Sequence, residues 1–447
     1  MLRAPSQAFA ACACLLMLPT LALPGPVQAQ DGAIAFRGAH LIPIAGPEIP
    51  RGTVVVQGGV IRAVGPVDGV TIPSNATVVE MDGKVIMPGI VDTHSHIGGG
   101  DGGDGTGPIH PSVRILDALD ARDDGIPKAR AGGLTTVNVM PGSGHLMSGQ
   151  TAYIKLRDGR TIYDLLLCDD VLTGMCGGMK MANGTNPRRD AAGFPGTRAR
   201  AAALVRARFV QAQEYRNRLQ AEEEEDGDPP SRDLELEALV EVLEGRRVVH
   251  FHTHRHDDVL TAIRLAEEFG FRVVLQHVSD AWMVADEIAA SPAVVGASII
   301  MIDSPGGKLE AMNLSFESGV ALERAGAVVG FHTDDGITDS RFFLRSAALA
   351  VRAGMSRDAA LYGMTMAGAI MMDLQHRVGS LEVGKDADLV VLSGDPLSVY
   401  TRVEETWIEG EKVFDLSDPR DRAFAVGGYG VGGSGHVHHH AGWEDHQ

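Results

Sequence analysis

Five short pieces of this 447-residue chain combine residue types that bind metals or move protons. His94-Ser95-His96 follows the apolar run 85–91, and His250-Phe251-His252-Thr253-His254 ends the run 247–251. Side chains alternate along a strand, so histidines two positions apart project from one face and offer their nitrogens to one ion. His277 ends the run 272–276. Asp334 follows 327–331 across His332-Thr333, and Lys180 interrupts the apolar segment Gly178-Met179-Lys180-Met181-Ala182. Singly, each reads as a hydrogen-bonded histidine or a surface lysine. Together, neutral imidazoles and a carboxylate are suitable ligands for zinc and similar ions.

The segments between these pieces have to bring them to one place. The middle of the chain, 88–380, alternates β-branched runs (134–139, 247–251, 272–275, 293–300, 327–331) with helical patterns (198–220, 234–243, 257–269, 281–290, 315–325, 356–371). Such alternation predicts an α/β fold with a parallel sheet. Its length suits a (β/α)8 barrel, in which the ends of successive strands converge on one mouth. An open doubly wound sheet is the alternative, but no G-x-G-x-x-G follows a strand. Outside the middle, short strands punctuated by Gly and Pro occur at 33–36, 53–56, 60–64 and 77–80, and again at 388–392, 405–408 and 412–414. These two ends predict a composite β-sandwich domain from 30–87 and 381–420. The acidic run 222–228 before Pro229-Pro230 reads as a solvated loop insertion. The Gly- and His-rich tail, 421–447, reads as disordered; a flexible tail binds metal adventitiously but cannot preorganise a site.

Lys and Arg total 39 against 58 Asp and Glu, a formal charge of −19. Nucleic acids and anionic membranes reward basic surfaces, so neither is an expected partner. Residues 1–29 read as a signal peptide: Arg3, a mostly apolar stretch over 8–24, and Val27-Gln28-Ala29 as a small-residue cleavage site. The apolar stretch is short for a membrane span. The expectation is an exported protein, periplasmic or extracellular. Cleavage removes Cys12 and Cys14 and leaves Cys168 and Cys176, whose spacing does not suit zinc; they read as two ordinary buried thiols, with one intrachain disulfide as the upper limit.

Val85-Ile86-Met87-Pro88-Gly89-Ile90-Val91-Asp92-Thr93-His94-Ser95-His96 resembles the first-strand signature of the amidohydrolase superfamily of metal-dependent hydrolases. Val378-Gly379-Ser380-Leu381-Glu382-Val383-Gly384-Lys385-Asp386-Ala387-Asp388-Leu389 resembles the same superfamily's return from barrel to β-domain. The resemblance covers the mature chain apart from the tail and a helical insertion near 198–246, and within the superfamily it is to the imidazolonepropionase-like and prolidase-like secreted group. It implies two divalent ions, zinc expected, held by His94, His96, His252, His277 and Asp334. Lys180 would be carboxylated and would bridge them, with Lys155, in Ala152-Tyr153-Ile154-Lys155-Leu156, as the fallback. An ammonium beside two cations is repelled, whereas a neutral lysine that takes up CO2 becomes an anionic ligand. Asp334 would take a proton from a metal-activated hydroxide and deliver it to the leaving nitrogen. His254 or His145 would face the developing oxyanion, and Arg255 and Arg341 are candidates for a substrate carboxylate.

Three readings of the function follow. One is hydrolysis of an amide or peptide bond in a small substrate such as a dipeptide or N-acyl amino acid. A second is a cyclic-amide hydrolase or deaminase. A third is a non-catalytic extracytoplasmic metal-binding protein. Mononuclear deaminases of the superfamily usually carry a Glu two or three residues beyond the fifth-strand histidine, where this chain has His254 and Arg255. The first reading is therefore preferred, with a small-molecule substrate, no stable membrane insertion after signal removal, and a homo-oligomer left open.

Overall fold

The computed structural model describes residues 32–427 apart from 101–102, 169, 173, 190–192, 225–230 and 303–307. The expected signal peptide and positions 428–447 of the expected tail lie outside the described residues, as does most of the acidic run. Five strands come first: β1 (Ile34–Leu41), β2 (Ile49–Gln57), β3 (Val60–Pro66), β4 (Thr77–Glu80) and β5 (Val85–Pro88). Next are β6 (Ile90–Ser95), β7 (Leu134–Val139), β8 (Met147–Gln150), β9 (Ala152–Lys155), β10 (Met179–Ala182), β11 (Val249–Thr253), β12 (Val273–His277), β13 (Val294–Ile299) and β14 (Val329–Phe331). The last are β15 (Leu389–Leu392), β16 (Val403–Ile408) and β17 (Glu411–Asp415).

Both ends of the described chain contribute to one eight-stranded sheet, ordered β17-β16-β15-β5-β1-β2-β3 with β4 against β1. Period-two alternation explains its two faces. Ile34 and Phe36 join Val54, Val56, Ile86, Leu389 and Val391 on one side, while Ala33, Ala35 and Val55 pack on the other. The chain does not become irregular at 421: Pro419–Val426 is a helix, started by the Asp418 side chain accepting from Arg420 N–H.

The middle of the chain forms a mixed α/β fold. Its strands hydrogen-bond as a six-stranded sheet, β14-β13-β12-β11-β10-β8, and a three-stranded sheet, β6-β7-β9. Strands β10 to β14 run parallel to one another, as do β6 and β7. At the far end, Asp334 N–H donates to His94 C=O (2.9 Å), tying the segment after β14 to β6. Strands β6, β7, β10, β11 and β12 are buried along their whole length. Strands covered on both faces usually read as unbroken apolar runs. Here polar residues interrupt them, and a buried seam of hydrogen bonds satisfies many of these. Thr93 C=O accepts from Asn138 Nδ2 (3.0 Å) and Gln276 Nε2 (3.4 Å), and Thr93 Oγ1 is 2.6 Å from Ser298 Oγ.

Helices cover the parallel strands. His256–Phe269 buries an apolar stripe and stops at Gly270, whose φ of 74° is the left-handed conformation that a helix end favours. The long helix Arg198–Glu224 precedes Leu234–Leu243, and its Phe209 stacks on Phe269 and Phe271 at 5.1 and 5.0 Å between ring centres. Two expected helices are broken. The run 281–290 divides into a short 3₁₀ turn and Ala285–Ala290. The run 356–371 divides into Arg357–Gly363 and Met366–Met371, because Met364 C=O accepts from Val91 N–H of β6 (3.0 Å) instead of continuing the helix.

The two cysteines correct the thiol expectation. Cys168 and Cys176 form a disulfide with Cα atoms 4.7 Å apart. Strand β9 brings them together: Leu167 N–H donates to Tyr153 C=O (3.0 Å) and Tyr153 N–H donates to Cys176 C=O (2.7 Å). The segment after β9 thus folds back on both sides of one residue, and sequence spacing carries no sign of that return.

Candidate metal centre

The ends of β6, β10, β11, β12 and β14 bring their polar side chains to one place. His94 Nε2 lies 3.3 Å from His96 Nε2 and 3.1 Å from Lys180 Nζ. Asp334 Oδ1 stands 3.3 Å from His94 Nε2 and 3.0 Å from His96 Nε2, and its Oδ2 is 3.9 Å from His277 Nδ1. Among the described residues, three sets converge closely enough to hold an ion: His94, His96 and Asp334; His94, His277 and His332; and His252, His254 and His277. His277 belongs to two of these sets, as does His94, so the cluster is continuous.

Backbone and buried carboxylate set these positions. Asp92 on β6 accepts from His94 N–H (3.1 Å), Thr333 N–H (3.1 Å) and Thr333 Oγ1 (2.5 Å), so it joins the first ligand strand to the segment carrying Asp334. Burial pushes the Asp92 carboxyl up to about 7 despite these donors. His277 and Asp334 both adopt positive φ, 71° and 49°. That conformation costs a non-glycine residue on the order of 1–3 kcal/mol and persists where the surroundings over-determine it. At both residues it turns the side chain at a strand end into the cluster.

The electrostatics suit ligation. Burial drives His94, His252, His254 and His277 well below the usual imidazole range, reinforced by neighbouring Lys180, Lys308 or other histidines. His332 is pushed down to about 3, also by burial. All five are therefore neutral at pH 7, the form that binds metals. Asp334 is pushed upward by burial, but hydrogen bonding and attraction from His96, then attraction from His332 and Lys180, hold it below the usual carboxylate range. Burial brings the Lys180 amine down to about 7 against the attraction of Asp334. Its contacts are His94 Nε2 and Met140 Sδ (2.9 Å), neither of them anionic.

A metal ion fits this donor set. Imidazole and carboxylate lone pairs 3.0–3.3 Å apart repel one another unless a cation or proton lies between them. Among the described residues, the buried ring nitrogens His94 Nδ1, His252 Nδ1 and His277 Nε2 have no hydrogen-bond partner.

The remaining expected residues divide. His254 is in the cluster, with Nδ1 2.8 Å from Ser279 Oγ. His250, on the same strand, instead meets Tyr153 Oη (2.9 Å) and Gln276 Nε2 (3.1 Å). His145 is buried in another group, with ring centres 5.9 Å from both His110 and Phe194. Arg255 is engaged by Asp257 at 3.0 Å. Arg341 is held by Asp339 (2.6 Å) and donates to Phe424 C=O and Gly427 C=O, so it anchors the last helix rather than a substrate. Lys155 is excluded as the bridging lysine: it is ion-paired with Asp386 (2.5 Å), Asp388 (3.1 Å) and Glu409 (3.1 Å).

Three members of the cluster were not anticipated. His332 precedes Asp334 by two residues, the same spacing as His94 and His96, and that signal was legible. Lys308 and Glu310 arrive from a turn with no periodic pattern; Lys308 Nζ is 3.0 Å from His254 Nε2 and 3.3 Å from Glu310 Oε1.

Residues 85–418 match the model of the amidohydrolase family. This chain belongs to that family. The amidohydrolase from Thermotoga maritima MSB8 is 32% identical in sequence and superposes with a TM-score of 0.80, covering 86% of this chain and all of that one. Amidohydrolase tasK of Hapsidospora irregularis is 29% identical over 409 residues, which is 83% of this chain but only 41% of that protein. A crystal structure described as a prolidase from Bifidobacterium longum, at 18% identity and a TM-score of 0.53, shares the fold. The histidine cluster at the strand ends lies within the matched residues.

Proposed function

We propose that this amidohydrolase is an exported binuclear enzyme, built as a (β/α)8 barrel, that hydrolyses an amide or peptide bond in a small substrate of the dipeptide or N-acyl amino acid type. The observation that carries the reading is Lys180: a fully buried amine, brought down to about 7, in contact with His94 and within the attraction of the Asp334 carboxylate. A neutral amine in that position can take up CO2 and become an anionic ligand. His94, His96 and Asp334 would hold one ion, His252 and His277 the other, and Lys180 both. Divalent ions there, zinc by ligand type, supply Lewis acidity and a water that ionises near neutral pH.

The chain's own residues do the rest. Asp334, kept anionic by His96, takes the proton of the attacking water and returns it to the leaving nitrogen, a role that typically contributes on the order of 10²–10⁴-fold in rate. Asp92 fixes His94 and Thr333 together, so Asp334 and the first ligands keep one geometry. His254, ordered by Ser279 at Nδ1, presents Nε2 to the same cluster as a further nitrogen for the second ion rather than as a donor to the oxyanion. Export is supported by the apolar N-terminal stretch and by the Cys168–Cys176 disulfide, a bond that persists in oxidising compartments.

The test combines metal analysis of the full chain with a screen of dipeptides, N-acyl amino acids and cyclic amides. Two ions per chain and turnover of linear amides is the expected result. Turnover confined to cyclic amides or amino-heterocycles would replace this substrate class with the ring-opening or deaminating one.

A further inference from the structure

Lys308 and Glu310 flank Leu309, which is 78% exposed, while both charged side chains turn inward. Glu310 is buried; its Oε2 accepts from Thr185 N–H (2.6 Å), and its Oε1 lies 3.3 Å from Lys308 Nζ and 4.0 Å from His252 Nε2. Lys308 Nζ is also 3.0 Å from His254 Nε2 and 3.5 Å from His252 Nε2. An ammonium has donors and no acceptor. Lys308 therefore uses the lone pair of His254 Nε2, which places the ring proton on Nδ1, directed at Ser279 Oγ (2.8 Å).

This tautomer leaves Nε2 as the one nitrogen that His254 can offer an ion, and His254 is a member of the ion-holding set with His252 and His277. One lone pair serves one partner. We propose that Lys308 is an internal competitor for the metal at His252, His254 and His277: its ammonium holds the imidazoles in ligating orientation and withdraws towards Glu310 when an ion enters. The proposal rests on the metal-centre reading. Glu310 is the natural destination, because its carboxylate is already in contact with Lys308 and remains paired after the move. The consequence is a weakened second site. Apparent affinity is scaled down to the fraction of chains in which Lys308 has left the imidazoles.

The full chain, stripped of metal and titrated with chelator-buffered zinc, tests this. Dissociation constants for both ions are measured in the wild type, Lys308→Met and Lys308→Gln, together with the Tm of each metal-free protein. The expected result is a weaker-site constant about tenfold tighter in both variants, as removal of a competing state requires, with the tighter site unchanged and a lower Tm before loading. A residue with only a structural role would lower Tm and leave the constant unchanged or weakened, which overturns the proposal; Lys308→Gln decides if Lys308→Met fails to fold. Wild type that binds no zinc overturns this proposal and the hydrolase reading together. Two zinc ions bound with no change on substitution overturns this one alone.

Discussion

Lys155 and Lys180 are both fully buried, and the two differ in what surrounds them. Lys155 ends β9 and meets three carboxylates, Asp386, Asp388 and Glu409. Arg157 pairs with Glu409 (2.7 Å), and Arg377 pairs with Asp386 (3.0 Å) and Glu409 (3.4 Å). Three cations thus face three carboxylates where β9 meets the return to the β-sheet. Glu409 is held down at about 2 by Arg157 and Lys155 against the upward push of burial. Lys180, on β10, has a histidine nitrogen and a methionine sulfur as contacts, and among the described residues no carboxylate lies within 4.0 Å of its amine. A buried charge that is matched stays charged and ties elements together; one that is unmatched loses its proton and becomes a nucleophilic amine. The first is a structural joint and the second a site for chemistry.

Substitution should separate the two. The largest effect is expected at Lys180. Lys180→Ala should reduce turnover by about 10⁴-fold, the upper end of what one positioned group contributes, and should cost one of two ions, as measured by metal analysis beside steady-state kinetics. Short carboxylates added from solution should restore part of both. Folding should survive, since no ion pair is broken. Lys155→Met should behave in the opposite way. It leaves Asp386, Asp388 and Glu409 facing one another, and removing one partner of a buried ionic group costs about 3–5 kcal/mol. Denaturant unfolding should register that loss, while kcat per folded molecule and metal content stay near wild type.

The smallest effect is a pH dependence. In the folded chain burial lowers the Lys180 amine from its ordinary 10.5 to about 7. Between those values the unfolded chain binds the extra proton, so stability rises with pH over that window. Below about 7 both states are protonated and the cost of the buried ammonium is fully present. Metal-free wild type should gain about 2 kcal/mol relative to Lys180→Met between pH 7 and 9, most of one proton's linkage over that interval. Parallel curves for the two proteins would mean that Lys180 does not titrate there.

Much of this was legible in the residues. The His94-Ser95-His96 pair, His252, His277 and Asp334 announced themselves because strand periodicity and strand-end placement are local properties. The helix 234–243 and strand 134–139 were equally plain, each carrying an uninterrupted pattern. The choice between Lys155 and Lys180 was not, because both sit in short apolar segments and only long-range pairing distinguishes them: Asp386 is 231 residues from Lys155. The same reason hid Lys308, Glu310 and the Cys168–Cys176 bond, which depend on where turns land. The break near Thr365 escaped because its cause is a β6 amide more than 270 residues away. Arg341 is claimed by Asp339, two residues before it, and by the carbonyls of Phe424 and Gly427, more than 80 residues away, which only the fold brings near.

The difference between the two lysines can be read directly from carbon. Metal-loaded protein equilibrated with ¹³C-bicarbonate should show one ¹³C carbamate resonance in wild type. That resonance should persist in Lys155→Met and vanish in Lys180→Ala. A carbamate signal retained in Lys180→Ala, or wild type holding two ions with no such signal, would contradict the assignment of Lys180 as the bridging ligand.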